Sequence, residues 1–484
     1  MSPTLPATGL LIDGVLVEAA AGERFETRNP ADGSMLATLP RARDVDVDRA
    51  VAAARRALDG PWSRLRPVER QRLILRLADL VERDAAQLAA LDTADMGAPI
   101  RHTTGAMPLL VALLRFYAGQ ATALSGETIA NSLPMEVATQ TVLEPVGVVG
   151  AIIPWNGPMW ALVWKIGPVL ATGCTLVMKT SEDAPLTALR FAELVHEAGV
   201  PPGVINILSG HGDAGAALAA HPDVDKISFT GSVETGQSIV RASAGNLKRL
   251  TLELGGKSPN IIFADADLDA AADTAVMAAF ANCGQICSAG SRLFVQRAAL
   301  PGVLERIRAR TMALRLGHGA NPETELGPLA SGRQRDRVRR FVALGLEQGA
   351  TLLQGGDTPT VPGLRDGWFL EPAIFADVGD EMAIATDEIF GPVLSVLTFD
   401  TEAEVTMRAN RSRYGLGAAV WTRDLGRAMR MSRALKAGSV WINSYNLLDP
   451  AVPFGGYRMS GYGRENGAAQ LRDYMSIKSV YTAW

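Results

Sequence analysis

The chain contains 484 residues, of which 48% are hydrophobic and 20% are charged, and its formal net charge is −4. This composition is typical of a globular protein rather than a disordered one, and the length predicts two or three domains. The small negative charge gives no indication of a nucleic acid or an anionic membrane as a partner. No stretch reaches the roughly 18 apolar residues that a membrane-spanning helix requires.

The cysteines and the first residues of the chain bear on its location. Three cysteines are an odd number and too few for a disulfide framework. The opening stretch MSPTLPATGLLIDG has no basic region before an apolar one, so it is not typical of a secretory signal. We therefore expect a reducing, cytoplasmic location.

The first 145 residues show strand, helix and extended patterns in turn. A short strand pattern lies around residues 10–17. Amphipathic helices with a 3.6-residue period are predicted at 45–58 and 68–91. Residues 125–145 are predicted to form extended segments, in the manner of an arm that pairs with another element.

Strands and helices alternate strictly from residue 146 onward. The predicted strands are VGVVGAIIP, TLVMK, INILS and KISFT, and the predicted helices between them cover residues 159–172, 185–198 and 212–221. Strict alternation predicts a parallel sheet with helices on both faces. Sheets of this kind bind ligands beyond the carboxyl ends of their strands.

A second α/β run begins after about residue 255. Its predicted helices lie near 268–282, 300–313 and 403–410, its predicted strands include SRLFVQ and VLSVLTF, and the terminal MSIKSVYTAW is again strand-like. The two runs together predict the α/β fold class, with a sheet in each of two domains.

The stretch NCGQICSAG, residues 282–290, holds Cys283 and Cys287 four positions apart. A metal site would need two further ligands, but Cys174 is distant in sequence and the five histidines are scattered, so we predict no metal. The residues themselves leave three alternatives open: a nucleophilic cysteine, a Cys–His hydrolase, or two small buried side chains.

Two loops that follow predicted strands could bind a dinucleotide. The common dinucleotide-binding motif G-x-G-x-x-G is absent after the first strand, and GHGDAG, at 210–215, matches it only weakly. Gly231 permits a tight turn, and Ser232 stands at a predicted helix N-terminus, where free N–H groups attract phosphate; a plain helix cap has the same pattern. Lys179 and Glu182 suit a ribose or a surface salt bridge. Glu182 would repel a 2′-phosphate, which favours NAD over NADP.

Eight motifs in order carry a resemblance to one family. They are IIPWNGP, KTSE, FTGS, LELGGKSP, GQICSAGSR, EIFGPV, PFGG and SGYGRE. With them the chain resembles the aldehyde dehydrogenase superfamily from about residue 10 to its end. The resemblance implies that Cys287, in the pattern Gly-Gln-x-Cys, is the nucleophile. It also implies that Cys283 is a packing residue, although a disulfide with Cys287 would disable the enzyme.

The resemblance assigns further roles around Cys287. It implies that the Asn156 side chain and the Cys287 N–H form an oxyanion hole. It also implies that Glu253 activates the water that hydrolyses a thioester, so a free carboxylic acid is expected as the product; CoA-acylating relatives generally lack this glutamate. Lys165 and Glu465 match positions proposed to relay protons behind Glu253, and a structural ion pair is the alternative.

The family's cofactor contacts carry over as expectations for NAD. The residues expected to bind it are Ile152, Trp155, Lys179, Glu182, Gly212, Ser232, Leu254, Glu388 and Phe390. Lys179 and Glu182 are expected at the adenosine ribose, and Ser232 at the pyrophosphate. Glu388 is expected at the nicotinamide ribose. No metal is expected, because the oxyanion hole polarises the carbonyl.

Gly157 departs from the family pattern, since many relatives carry an aromatic residue after the catalytic asparagine. Glycine should open the substrate tunnel, Trp160 and Trp164 could reshape it, and residues 444–452 should supply another wall. The resemblance therefore implies a bulky aromatic, terpenoid or long aliphatic aldehyde as substrate. The alternatives are a CoA-acylating or phosphorylating relative and a non-enzymatic relative with a structural or binding role.

Domain roles follow from the same resemblance. A Rossmann-like coenzyme domain is expected at 1–124 and 146–254, and a catalytic domain at 255–456. An oligomerisation arm and tail are expected at 125–145 and 457–484. Because unpaired strand edges are a liability, we expect a homodimer or homotetramer. The other expected partner is a small aldehyde, with no nucleic acid and no membrane.

Overall fold

The computed structural model describes residues 3–484 of the chain. Within that range the strands, in chain order, are β1 (Leu10–Ile12), β2 (Val15–Val17), β3 (Arg24–Arg28), β4 (Met35–Pro40), β5 (Thr128–Ile129), β6 (Val137–Pro145), β7 (Val148–Ile152), β8 (Thr175–Lys179), β9 (Ile205–Leu208), β10 (Lys226–Thr230), β11 (Arg249–Glu253), β12 (Pro259–Ile262), β13 (Arg292–Gln296), β14 (Thr351–Gln354), β15 (Ala373–Ala376), β16 (Val393–Phe399), β17 (Gly417–Trp421), β18 (Ser439–Ile442), β19 (Gly461–Tyr462) and β20 (Met475–Ala483).

The α-helices of the same range are, in chain order, α1 (Asp44–Asp59), α2 (Pro67–Arg83), α3 (Ala85–Met96), α4 (Ile100–Ala121), α5 (Pro158–Thr172), α6 (Leu186–Glu197), α7 (Gly212–Ala220), α8 (Val233–Ala242), α9 (Leu268–Phe280), α10 (Leu300–Met312), α11 (Gly332–Glu347), α12 (Ala383–Thr386), α13 (Glu402–Asn410), α14 (Leu425–Ala434) and α15 (Gly467–Arg472). Within residues 3–484, no helix combines the length and the apolar composition needed to cross a membrane.

The first sheet has the strand order β19-β11-β10-β7-β8-β9-β1-β2, and its five central strands are parallel. Successive side chains of a strand point to opposite faces. Val149 and Ala151 pack into the core that α2, α4, α5 and α6 cover, whereas Val148 and Ile152 pack into the core formed with α1, α7 and α8. The predicted parallel sheet with helices on both faces is therefore confirmed.

The second sheet has the order β14-β15-β16-β13-β12-β17-β18 and is parallel except for its edge strand β14. It confirms the second α/β run expected after residue 255. The loop between Glu253 and Pro259 is short and joins the last parallel strand of the first sheet to the second sheet. The carboxyl end of β11 is thereby brought against the second domain.

A third, antiparallel sheet joins the predicted arm to the C-terminal segment. β20 pairs with β6 along its whole length, from Met475 opposite Pro145 to Ala483 opposite Val137, and β5 completes the order β20-β6-β5. The extended character expected at 125–145 and in the tail is confirmed. Part of the tail also belongs elsewhere, because β19 joins the first sheet next to β11.

The stretch predicted as a single helix at 68–91 forms two helices instead, α2 and α3. α2 ends and α3 begins at Asp84, whose backbone has φ −95° and ψ 10°. The Asp84 carboxylate accepts a hydrogen bond from Arg83 Nε at 2.7 Å and from Arg190 Nε at 3.0 Å. A polar residue that is hydrogen-bonded to α6 therefore ends the first helix. The leucine periodicity of the sequence does not reveal such a break.

Candidate active site

A cavity of about 900 Å³ lies at the carboxyl ends of β7, β10 and β11, where the second domain approaches the first sheet. The predicted site residues that line it are Trp155, Asn156, Ser232, Glu253, Leu254, Cys287, Glu388 and Phe390. Those that lie outside its wall are Ile152, Lys165, Lys179, Glu182 and Gly212. The structure thus brings one thiol, one carboxylate and one carboxamide of the predicted catalytic set to a single cavity.

A turn of uncommon backbone conformation precedes Cys287. Asn282, Cys283 and Gly284 have φ angles of 50°, 56° and 70°, all in the left-handed region. The Gln285 side chain holds this turn, since its Nε2 donates to the Asn282 carbonyl at 3.0 Å and its Oε1 accepts from a backbone N–H at 2.9 Å. Strained backbone that is fixed by surrounding contacts clusters at functional sites.

The Asn156 carboxamide lies against the same turn. Its Nδ2 donates to the Gln285 carbonyl oxygen at 2.8 Å, and the Asn156 backbone carbonyl accepts from Asn282 Nδ2 at 2.9 Å. A carboxamide has two N–H groups, so the second remains available to a ligand in the cavity. Hydrogen bonds of its side chain and of its backbone therefore hold Asn156 against this turn, which ends two positions before Cys287.

Two glycines let the second domain close on the end of β11. A Cβ atom on Gly256 would lie 2.5 Å from the Cys287 carbonyl oxygen, and one on Gly255 would clash with the Glu388 carboxylate. Side chains at these positions would push both groups away from the cavity. The paired glycines of LELGG thus permit the thiol and Glu388 to approach β11.

The Cys287 thiol is half-buried and lines the cavity. Burial, together with the nearby carboxylates of Glu388 and Glu253, raises its pKa to about 12. The thiol is therefore protonated near neutral pH, and its nucleophilic form must be generated by a base or by a bound ligand's field.

Alkylation of Cys287 by iodoacetamide should become about tenfold faster per pH unit between pH 7 and pH 9, because only the thiolate reacts and its fraction rises tenfold per unit below the pKa. Intact-mass spectra of the ligand-free protein, recorded over time at each pH, measure this rate. Cys287→Ala supplies the background from the two buried cysteines. A rate that levels off below pH 8 would contradict the raised pKa.

Glu253 ends β11 and its carboxylate is buried, with 4% of the residue exposed. Within residues 3–484 neither carboxylate oxygen has a hydrogen-bond partner. Burial raises the pKa of Glu253 well above its ordinary value, Glu465 adds to the rise, and Lys165 opposes it. A carboxylate with free oxygens and a raised pKa at a cavity wall is suited to accept a proton.

Lys165 and Glu465 form a fully buried ion pair behind Glu253. Burial raises the pKa of Glu465, and Lys165 counteracts this. Gln470 Nε2 donates to the Trp164 carbonyl at 2.9 Å and also bonds to Glu465. This arrangement is consistent with both earlier interpretations, a structural ion pair and a path for protons.

The cofactor side of the cavity is formed by a helix N-terminus, a carboxylate and two rings. Ser232 caps α8 and accepts from the Thr235 backbone N–H at 3.2 Å, so the predicted helix N-terminus is confirmed. Glu388 Oε1 accepts from the Gly256 N–H at 3.1 Å, and burial raises its pKa to about 7. The rings of Trp155 and Phe390 meet edge to face at 5.4 Å.

The remaining predicted cofactor residues lie at the ends of β7 and β8 and at the start of α7. Lys179 Nζ forms an ion pair with Glu182 Oε2 at 3.0 Å. A Cβ atom on Gly215 would touch Ile152 and Lys179 at 3.7 and 4.0 Å, so α7 packs on this edge. Around Gly212, in the first turn of α7, there is open space within 4 Å.

Gly157 and two tryptophans form an aromatic part of the cavity wall. The Trp160 and Trp164 rings lie 5.5 Å apart, and Trp164 stacks on Phe454 at 5.9 Å and 15°. Gly157 has φ −177°, which is extended backbone that any residue adopts. The glycine is thus not required by the local conformation, and its effect on the cavity is the absence of a side chain.

The cavity has walls that were not predicted from the sequence. One is a face of α4, with His102, Thr103, Ala106, Met107, Leu109 and Leu110. Their helical spacing is visible in the sequence, but it does not tell which element the face meets. Phe454 lies within the recognised PFGG motif without having been assigned a role. Residues 446–448 of the predicted stretch 444–452 line the cavity as well.

Cys283 and Cys287 pack in different places. Cys283 is fully buried in the apolar core of the second domain, and burial raises the pKa of its thiol. Cys287 packs with Trp164 and Phe454 at the cavity. The cysteines of the described chain are free.

The fold and the cavity define an α/β protein whose thiol, carboxylate and carboxamide share one site, an arrangement suited to covalent catalysis. A sequence profile described as "Aldehyde dehydrogenase family" matches residues 16–480. The chain belongs to this family.

Relatives and solved structures agree over almost the whole chain. It is 47% identical to the mitochondrial aldehyde dehydrogenase family 2 member B4 of Arabidopsis thaliana, covering 98% of this chain and 88% of the relative. It is also 47% identical to the mitochondrial benzaldehyde dehydrogenase of Antirrhinum majus, with the same coverage. The NAD+ complex of aldehyde dehydrogenase from Bacillus cereus superposes with a TM-score of 0.96 at 46% identity, covering 98% of this chain and 96% of that one.

Proposed function

We propose that the protein oxidises aldehydes to carboxylic acids with NAD, through a covalent intermediate on Cys287. The observation that carries the proposal is the shared cavity, in which the Cys287 thiol, the unpartnered Glu253 carboxylate and the Asn156 amide lie together. Each supplies a different requirement of acyl chemistry: a nucleophile, a base and a donor for the developing oxyanion.

In the first half of the reaction, the Cys287 thiol loses its proton to water, its thiolate sulfur bonds to the aldehyde carbon, and the carbonyl oxygen becomes an oxyanion. The free N–H of Asn156 and the Cys287 backbone N–H hydrogen-bond this oxygen. One such donor typically lowers the barrier by about 3 kcal/mol. NAD, when bound, would supply the acceptor for the hydride that leaves the carbon, so that a thioester remains on Cys287.

In the second half, Glu253 accepts a proton from water as the water oxygen bonds to the thioester carbon. The carbon–sulfur bond then breaks, which releases the carboxylic acid and returns the sulfur to Cys287. The raised pKa of Glu253 makes its carboxylate a stronger base than an exposed one. We assign Lys165 and Glu465 to the onward transfer of this proton, and their buried ion pair, whose charges act on the pKa of Glu253, supports the assignment.

The residues around the nucleotide path have the chemical character that the parts of NAD require. The helix N-terminus at Ser232 suits a pyrophosphate, and the Glu182 carboxylate suits the two hydroxyls of a ribose. Glu388 suits the second ribose, and the Trp155 and Phe390 rings suit a flat nicotinamide. We assign Ile152, Leu254 and Gly212 to the same path. We also propose that residues 1–124 and 146–254 form the coenzyme-binding domain and that residues 255–456 form the catalytic domain.

Glu182→Ser should raise kcat/KM for NADP relative to NAD by about 10- to 100-fold, because it removes a negative charge that opposes the 2′-phosphate. Initial rates with each coenzyme and one aldehyde give the ratio. Glu197→Ser, which removes an exposed carboxylate at the end of α6, is the matched control. Equal NADP-to-NAD ratios in the two variants would remove Glu182 from the ribose site.

The substrates we propose are bulky aromatic, terpenoid or long aliphatic aldehydes. Support comes from Gly157, which leaves the cavity wall without a side chain, and from the apolar wall formed by Trp160, Leu110 and Phe454. A relative of 47% identity is named as a benzaldehyde dehydrogenase. A CoA-acylating reaction is the second candidate, and Glu253 counts against it.

Purified protein with NAD should form reduced coenzyme, read at its absorbance band, from decanal, benzaldehyde and citral with higher kcat/KM than from acetaldehyde. The acid product should appear without CoA, because Glu253 directs water to the thioester. Turnover restricted to acetaldehyde would reject the proposed substrate class. Turnover that requires CoA would reject hydrolysis.

We also propose that the arm and tail, 125–145 and 457–484, make a homodimer or homotetramer. The three-stranded sheet exposes Ile129, Ile477 and Tyr481, which are apolar side chains that an interface would cover. Free cysteines throughout the described chain support a reducing, cytoplasmic compartment.

A further inference from the structure

The cavity extends from Gly157 to the junction of α3 and α4. Asp92 and Met96 of α3 and His102 and Thr103 of α4 line the same cavity as Cys287. We refer to this end of the cavity, with the walls Met107 and Leu110, as the α4 branch. Its lining changes from apolar at Leu110 to polar at Asp92, Thr103 and His102.

Gly157 lines the same cavity as the α4 branch and places no side chain in it. A Cβ atom at this position would meet Trp160 at 3.6 and 3.8 Å, both ordinary contacts. The extended backbone would accept a larger side chain, so the open space is a property of the sequence and not of the fold. An aromatic side chain here would occupy part of the cavity, which makes Gly157→Phe a direct way to close the branch.

The polar groups of the α4 branch differ in what they can offer a ligand. Asp92 accepts from Thr187 Oγ1 at 2.6 Å. The Thr103 hydroxyl pairs with Thr93 Oγ1 at 2.9 Å and donates to the Ile100 carbonyl at 3.2 Å. The imidazole of His102 is half-buried and lines the cavity.

Two neighbouring side chains, Arg101 and Asp92, limit the kinds of chemical group that His102 would bind. Burial lowers the pKa of His102 and the positive charge of Arg101 lowers it further, so the ring is neutral and offers one donor and one acceptor. Arg101 disfavours an ammonium group, and burial raises the pKa of Asp92 to about 7, so this carboxyl group offers no full counter-charge near neutral pH. A neutral hydroxyl, which both donates and accepts a hydrogen bond, is the group that matches the neutral ring.

We propose that His102 is a specificity residue that hydrogen-bonds a neutral hydroxyl at the far end of an elongated aldehyde, whose apolar middle lies along Leu110, Met107 and Trp160. This proposal rests on the proposed aldehyde oxidation. The substrate class is therefore that of aldehydes with an aromatic or aliphatic spacer and a distal hydroxyl.

The test compares matched aldehydes within each variant, so a general loss of activity cancels. The pairs are 3-(4-hydroxyphenyl)propanal with 3-phenylpropanal, and 10-hydroxydecanal with decanal. For each pair, the hydroxyl ratio is kcat/KM with the hydroxyl divided by kcat/KM without it. His102→Leu should lower this ratio about fivefold for the pair whose length fits, the effect of one neutral hydrogen bond.

Three further variants make the result specific. His102→Gln, which keeps a donor and an acceptor, should restore most of the ratio, and Gly157→Phe should lower it as His102→Leu does. Thr104→Leu, an exposed neighbour on α4, should leave the ratio unchanged. The proposal is overturned if the hydroxyl ratio is the same in wild type, His102→Leu and Gly157→Phe. The proposed aldehyde oxidation would be unaffected by that result. No reduced coenzyme from any aldehyde overturns the proposed function and this proposal together.

Discussion

Cys287→Ala is expected to lower NAD-dependent aldehyde oxidation by about 10⁴-fold or more, the scale seen when the nucleophile of a covalent enzyme is removed. No other thiol can replace it, because Cys174 and Cys283 are fully buried away from the cavity. Reduced-coenzyme formation from decanal, measured at high protein concentration, gives the residual rate.

Cys283→Ala is the matched control for the nucleophile. It removes a thiol four positions away that packs in the second core, and its rate should stay within about threefold of wild type, as is usual for small changes outside the reacting groups. Substantial turnover by Cys287→Ala would show that the reaction does not pass through this sulfur. A large loss of activity in Cys283→Ala alone would show that Cys283, and not Cys287, is the nucleophile.

Glu253→Gln is expected to lower steady-state turnover by about 10³-fold, within the range that a general base contributes. The glutamine has nearly the same shape but cannot take a proton from water. The thioester on Cys287 should therefore accumulate, and intact-mass spectra after addition of decanal and NAD should show the acyl group on the protein.

Glu465→Gln distinguishes the base from its surroundings. It breaks the ion pair with Lys165 but leaves the Glu253 carboxylate in place, so a smaller loss without an acyl adduct is expected. If Glu253→Gln is slow and carries no acyl group, the carboxylate acts before the thioester forms, most directly on the thiol. That outcome would transfer its role from hydrolysis to activation of Cys287.

The first sheet could be predicted because its signal is local. Each strand from β7 to β10 is a short apolar run followed by a helix, and the alternation repeats without interruption. The break at Asp84 could not be predicted, because it depends on Arg190, 106 residues away. α4 was not predicted either, and its sequence contains Pro108, which weakens a helical pattern.

The site was predictable as a set of motifs but not as a geometry. Cys287 and Glu253 stand in recognisable stretches, yet their approach depends on Gly255 and Gly256 at the crossing between two sheets. Lys165 and Glu465 are 300 residues apart, so no sequence period connects them. The face of α4 was not identified from the sequence, and its role became evident only from the cavity that it lines together with Gly157.

The buried partner of Lys165 belongs to the final twenty residues of the chain, which begin at Glu465. The same segment supplies β20, the strand that pairs with the arm. The carboxylate that completes the ion pair is therefore synthesised after Cys287 and Glu253. A prematurely terminated chain would carry the reactive cysteine without its finished surroundings, and both catalysis and the arm sheet would be lost in one truncation.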